Sequence, residues 1–185
     1  MRKKLVIIVT TILILLFVIV FFKPQNLILK KIYKIEYSEY VYKYAEENEI
    51  DPFLIFAIIK NESNFKRAIE SPSGAIGLMQ LMEETGIEMA NEIGEDVTVR
   101  EALFSPEINI RIGTKYFAFL KNRYHSENLA LIAYNAGIGN VDDWIEDGII
   151  KKDGSDIENV PFKETNNYIR KILRDYKIYK NLYNE

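Results

Sequence analysis

The longest unbroken apolar run covers Leu5 to Phe22, eighteen residues with no charge and two hydroxyls, Thr10 and Thr11. At about 1.5 Å per residue, a helix of that length comes close to the roughly 30 Å of a bilayer's hydrocarbon core. The run ends in Val20, Phe21, Phe22, Lys23 and Pro24, not in the small residues that close the shorter apolar region of a cleaved leader. The pattern therefore predicts an uncleaved transmembrane anchor over 1–23. Arg2, Lys3 and Lys4 precede it, but Lys23, Lys30, Lys31 and Lys34 follow, so positive charge alone does not orient it. A short leading tail is most simply left in the cytoplasm, which carries the rest of the chain outward.

Residues 24–35 interleave lysines with Leu, Ile and Tyr. This suits a juxtamembrane stalk or an amphipathic helix among headgroups, and equally a helix that continues into the domain. From 36 to 185 the apolar positions recur at helical spacing. Tyr40, Val41, Tyr44 and Ala45 mark a first helix between Glu36 and Asn48. Asp51 followed by Pro52 is an N-cap with proline at the first helical position, and it launches a nearly all-apolar helix from Phe53 to Asn61 that should be buried. Leu78, Leu81, Met82 and Met89 predict a third helix from Gly77 to about Ile93, stopped by Gly94. Thr98 with Glu101 makes a capping box for a short helical turn. Ser105 and Pro106 open a helix to about Tyr124, and Ser126 caps one that carries Leu129 to Ala136 and stops at Gly137. The stretch between Asp147 and Lys163 holds Gly148, Gly154 and Pro161 among many charges and reads as a loop. A last helix runs from Glu164 to about Leu182. Nothing alternates as a strand does, so the domain over 36–185 should be all-α.

Charge and composition narrow the chemistry. Four of the 24 Lys and Arg, and none of the 27 Asp and Glu, precede Pro24, which leaves the remainder with seven acidic groups in excess. Such a domain is a poor nucleic-acid binder. Without cysteine there is no disulfide, no thiol nucleophile and no cysteine zinc site, and the single His125 rules against a histidine metal cluster or a Ser/His/Asp triad. No metal and no cofactor is expected, and His125 reads as a surface residue.

The residue that stands out is Glu62, at the end of the apolar helix. A carboxyl group donates a proton near neutral pH only where an apolar setting raises its pKa, and the neighbours Phe53 to Ile59 supply one. Taken singly, Glu62 could be a solvated helix-end residue, Tyr134 and Tyr168 core aromatics, Asn135 a helix cap and Glu164 a first-turn carboxylate. Their company changes the reading. Glu62, Ser63, Asn64 and Phe65 through Ser71, Gly74, Ala75 and Gly77 to Gln80 form one block. Leu103 to Glu107 with Asn109, Ile110, Gly113 and Tyr116 form a second, Ala133 to Val141 a third, and Pro161, Phe162, Glu164, Thr165, Tyr168 and Ile169 a fourth.

In order and spacing these four blocks resemble the family 1 lytic transglycosylases, whose domain has a lysozyme-like fold of the goose type. The resemblance spans roughly 36–180. It departs from the usual pattern at Lys66 and Arg67, where Asn and Pro are common, at Glu83 in place of Pro, and at Ser105 in place of Asp; all fall in loops or caps. It implies cleavage of the β-1,4 bond between N-acetylmuramic acid and N-acetylglucosamine in peptidoglycan, leaving 1,6-anhydromuramyl ends. Glu62 would be acid and then base, because the motif marks out no second carboxylate of the kind most glycosidases use. Ser71, Gln80, Tyr134, Asn135 and Tyr168 would bind sugars, and Glu164 would support the cleft from behind. The implied partners are peptidoglycan glycan strands and the membrane, with any cell-envelope assembly partners unspecified. The location would be the extracytoplasmic face. Two alternatives remain: a hydrolytic muramidase on the same fold, and a non-catalytic wall-binding scaffold.

Overall fold

A computed structural model of the chain describes residues 2–22, 24–94 and 100–184; the side chains at 16, 18–22 and 25 lie outside that description. The N-terminal apolar run forms α1 (Arg2–Phe22), and its described side chains from Leu5 to Leu15 are exposed. Among the described residues no helix is long and apolar enough to cross a membrane, and the anchor expected over 1–23 runs partly onto residues outside the description. After it come α2 (Pro24–Ile32), α3 (Ser38–Glu47) and α4 (Pro52–Glu62). They are followed by α5 (Glu83–Glu92), a 3-10 turn (Arg100–Phe104), α6 (Pro106–Tyr124) and α7 (Glu127–Ala136). Two further helices, α8 (Ile138–Glu146) and α9 (Lys163–Tyr183), complete the order. No strand occurs among the described residues, only isolated antiparallel bridges from Ile76 to Glu70 and to Leu81. The all-α expectation holds.

The helix α4 is the axis of the domain. Asp51 caps it by accepting from the Phe53 N–H at 2.9 Å, and Phe53 through Ile59 are all buried. Burial of each large side chain contributes about 1.5–3 kcal/mol, which outweighs the modest helix propensity of a β-branched sequence. The helix packs against α3 and α9, while α6 bridges α3 and α7. A second, smaller core gathers Ile76, Leu81, Met89, Ala90, Leu103 and Ile112 beside α6. Tyr116, Phe119 and Tyr134 pack against both cores, so the seam between the two lobes is lined by aromatic rings.

Sequence periodicity misplaced one helix start. The segment from Gly77 is a tight loop, and α5 begins at Glu83. Gly77 and Gln80 sit at φ 78° and 49°, and Ile76 and Leu81 exchange both backbone hydrogen bonds across the loop. Leu78, Met79 and Leu81 are buried by that loop instead of by a helix face. A Cβ on Gly77 would lie 2.6 Å from the Leu103 carbonyl oxygen, so glycine is required there for space as well as for φ. The loop is held by Asn109, a fully buried side chain that donates to the Ile76 and Leu103 carbonyls and accepts from the Met79 N–H. Elsewhere, α8 was not foreseen, since Gly137 and Gly139 mask a short helix. The expected capping box falls on Thr98, which lies outside the described residues. Ser126 caps α7 as expected, with Leu129 N–H donating to its Oγ at 3.4 Å. His125 is exposed at the end of α6, in a left-handed turn.

Candidate functional site

Three segments that are remote in sequence meet where α4 ends. Glu62 is its last residue, and the chain then turns sharply through Asn64 and Phe65 at φ 49° and 64°. Two consecutive left-handed residues without glycine are uncommon, and the buried Phe65, packed on Phe56, holds the turn in place. From α9, Tyr168 donates its hydroxyl proton to Glu62 Oε1 at 2.5 Å. From α7, the Tyr134 hydroxyl lies within electrostatic reach of the same carboxyl and donates to the Met79 carbonyl at 2.7 Å, which ties α7 to the Gly77–Gln80 loop.

The electrostatics follow from this packing. Burial pushes the Glu62 carboxyl from 4.5 up to about 7, and the Tyr168 hydroxyl, by favouring the ionised form, only partly offsets it. No neighbouring carboxylate contributes to the shift. Burial likewise raises the Tyr134 and Tyr168 hydroxyls well above their ordinary range, with the Glu62 charge adding to each. Both therefore stay protonated as donors while Glu62 is poised to hold or release one proton at neutral pH.

Two hollows adjoin this point. One, of about 500 Å³, is lined by Asn61, Asn135, Lys163, Glu164, Asn167, Tyr168 and Lys171. The other, of about 260 Å³, lies over the seam between the lobes and is lined by Gln80, Tyr116, Tyr134 and Asn135 among others. Asn135 is exposed and belongs to both walls, so the hollows lie on either side of it. Gln80 donates to the Gly77 carbonyl at 2.9 Å, which leaves its own carbonyl oxygen to accept from a ligand. Ser71 does not line either hollow. Its Oγ accepts from the Ala75 N–H at 3.0 Å and shapes the loop, while its hydroxyl proton remains to donate. Glu164 is exposed and, among the described residues, makes no hydrogen bond or ion pair. It stands on the wall of the larger hollow instead of behind it.

Of the residues lining the larger hollow, Asn61, Lys163, Asn167 and Lys171 carried no sequence signal. On α9, Glu164, Asn167, Tyr168 and Lys171 recur at helical spacing and form one stripe along the hollow. Asn61, beside Glu62, donates to Asp175 at 3.2 Å. Asp175 is fully buried and also takes donors from Lys60 at 2.7 Å, Arg174 at 2.9 Å and Tyr33 at 3.1 Å. This cluster pins the end of α4 to α9 and so fixes where Glu62 points.

A carboxyl pushed up to about 7 by burial, at the end of α4 and beside hollows lined by tyrosines, amides and the charged Lys163, Glu164 and Lys171, is a group able to hold or release a proton at neutral pH. Comparison with known proteins gives the family. The transglycosylase SLT domain matches residues 39–155. The soluble lytic murein transglycosylase of Salmonella typhimurium is 30% identical over 148 residues, 78% of this chain and 23% of that protein. The membrane-bound lytic murein transglycosylase C of Edwardsiella ictaluri is 38% identical over 123 residues, 57% of this chain and 32% of that protein. Among solved structures, an inactive Glu-to-Gln mutant of the lytic transglycosylase Slt from Pseudomonas aeruginosa superposes with a TM-score of 0.73 at 32% identity, covering 80% of this chain and 24% of that one. The chain belongs to the transglycosylase SLT domain family and has its lysozyme-like fold. It spans about a quarter to a third of the length of these relatives.

Proposed function

We propose that the protein is a peptidoglycan lytic transglycosylase that cleaves the β-1,4 bond between N-acetylmuramic acid and N-acetylglucosamine, with Glu62 as its one acid–base group. The observation that carries this reading is the placement of Glu62 at the end of the buried helix α4 with Tyr168 donating to its oxygen, a setting in which burial pushes the carboxyl up to about 7. Protonated Glu62 gives its proton to the N-acetylglucosamine oxygen as the bond to muramyl C1 breaks. The muramyl C6 hydroxyl then attacks C1, and its proton passes to the Glu62 carboxylate, which restores the acid. One bond to C1 is exchanged for another and no water is consumed. An acid that must also act as base works best near the ambient pH, which suits a pKa of about 7 better than one of 4.5.

Gln80, Tyr134, Asn135 and Tyr168 would orient the sugars and their acetamido groups from the walls of the two hollows, Ser71 would do so through the loop it shapes, and Glu164 would contribute from the cleft wall. The relative inactivated by a Glu-to-Gln change supports a glutamate in the leading role. The apolar run from Leu5 to Phe22 would hold the chain in the membrane as a single-pass anchor over 1–23. Residues 24–35 would link it to a catalytic domain over 36–185 on the extracytoplasmic face. The kinship with both soluble and membrane-bound lytic murein transglycosylases is compatible with that placement.

Digestion of purified peptidoglycan in heavy-oxygen water, followed by mass spectrometry of the muropeptides, tests the reaction. Anhydromuramyl ends without label are expected, since an internal hydroxyl reaches effective molarities of about 10⁵ M or more, far above water. Reducing muramic ends carrying one heavy oxygen would instead establish a hydrolytic muramidase.

A further inference from the structure

Beyond α1, the exposed large apolar side chains are scattered singly over the domain, as is normal, except on α2. There Leu27, Ile28 and Ile32 are 70%, 66% and 52% exposed within six residues. At 100° per residue they lie around the side of α2 opposite Leu29 and Tyr33. Those two face inward: Leu29 packs on the main core, and Tyr33 is buried edge-on against Tyr179, its hydroxyl donating to Asp175. The hydroxyls of Tyr183 and Tyr179 donate to the Tyr33 and Lys34 carbonyls at 2.8 and 3.0 Å, and Lys30 lies over the Tyr183 ring. The helix is thus fixed to α9 by one face and bare on the other.

We propose that the bare face of α2 is a membrane-seating surface, with Leu27, Ile28 and Ile32 entering the boundary between headgroups and acyl chains of an anionic bilayer. The proposal rests on the membrane reading above. Continuity identifies the occupant, because α2 begins two residues after the apolar α1 ends, at the level where such a helix would leave the bilayer. Lys31 stands in the middle of the bare face and is exposed. Its ammonium must remain at the lipid phosphates, so the face seats shallowly while its methylene stem lies along the acyl boundary. The body of the domain carries an acidic excess and is repelled by the same surface, so the contact is confined to α2. Because α2 is bolted to α9, and α9 carries Tyr168 and the wall of the larger hollow, this seat fixes the height and direction of the cleft above the membrane.

The cysteine-free chain allows a direct test. Single-cysteine variants Leu13→Cys, Ile28→Cys and Glu146→Cys of the full chain are labelled with a fluorophore and reconstituted into phosphatidylglycerol–phosphatidylcholine vesicles that carry shallow or deep nitroxide quenchers. The expected result is quenching of the Ile28 probe mainly by the shallow quencher, at a depth of about 5–10 Å. The Leu13 probe should respond to the deep quencher and the Glu146 probe to neither. An Ile28 probe open to aqueous quenchers while the Leu13 probe is in lipid would overturn the seat and leave the anchor standing. Both probes in water would overturn the anchor and the seat together. An Ile28 probe shielded from lipid and water alike, with copies cross-linking through it, would assign the face to a second copy of the chain and overturn the proposal.

Discussion

Replacing Glu62 by Gln should abolish activity and, at alkaline pH, stabilise the fold. The two effects share one origin. In the unfolded chain the carboxyl titrates at its ordinary value of 4.5, whereas in the folded protein it titrates at about 7. Between those values the folded state binds more protons, so stability falls as pH rises. The sign is therefore the reverse of that for a salt-bridged carboxylate: no cost below 4.5, a growing cost from 4.5 to about 7, and the full cost above. Its size is the shift multiplied by about 1.4 kcal/mol per unit, or about 3 kcal/mol. Glutamine keeps the shape and still accepts from Tyr168 but cannot ionise. Wild type and Glu62→Gln should melt within a degree or two of each other at pH 4. At pH 8.5 the variant should melt about 6–12 °C higher, given about 2–4 °C per kcal/mol for a chain of this size. Other titrating groups act equally on both proteins and cancel in the difference. The assay is thermal unfolding of the pair across pH 4–9, together with muropeptide release, which should fall about 10²–10⁴-fold. Parallel melting curves across the whole range would refute the claim that burial holds this proton.

Tyr168→Phe removes the donor that favours ionised Glu62, so the alkaline limb of the pH–rate profile should move upward from about 7 as the rate falls; an unmoved or lowered limb would contradict the hydrogen bond. Asn109→Leu leaves the Met79 N–H and the Leu103 carbonyl without the partner that Asn109 supplies, at about 1–3 kcal/mol each, while the Ile76 carbonyl keeps the Leu81 N–H, so the melting temperature should drop by at least about 4 °C. A change under 2 °C in differential scanning fluorimetry would show that the loop does not depend on it. Activity should survive EDTA, since the proposed chemistry assigns no role to a metal; loss in chelator with recovery on adding a divalent cation would overturn the single-carboxyl mechanism.

The parts of the fold legible in the sequence are those set by local rules. Asp51 and Pro52 announce α4, Ser126 announces α7, and the apolar run between them and the four motif blocks single out Glu62. The loop at 77–82 misled because Leu78, Leu81 and Met82 have helical spacing. What keeps them out of a helix is Asn109, which lies some thirty residues further on and supplies the backbone partners that a helix would have supplied itself. Lys171, Asn61 and Asn167 could not be picked out, because their place at the hollow depends on how α9 lies against α4, and no spacing within either helix records that. Glu164 lines the larger hollow for the same reason, through a rotation of α9 that the sequence does not record.

The end of α4 shows how one short stretch serves two opposite purposes. Lys60 and Asn61 both reach Asp175, and the next residue is Glu62. The Asp175 side chain is fully buried, which would raise its carboxyl, but the hydrogen bonds and charges of Lys60 and Arg174 outweigh that and hold it below the ordinary range. Its ionised form ties α4 to α9 at every pH where Glu62 works. Among the described residues Glu62 has one hydroxyl donor and no paired cation, so burial prevails and its pKa rises. Had Lys60 and Glu62 exchanged places, the end of α4 would present a cation in place of the buried acid, while Asp175 would face another carboxylate in the core. The order Lys60, Asn61, Glu62 therefore gives one carboxyl an anchoring cation and leaves the other, the acid proposed above, to burial, by sending the cation to the Asp175 side of the helix.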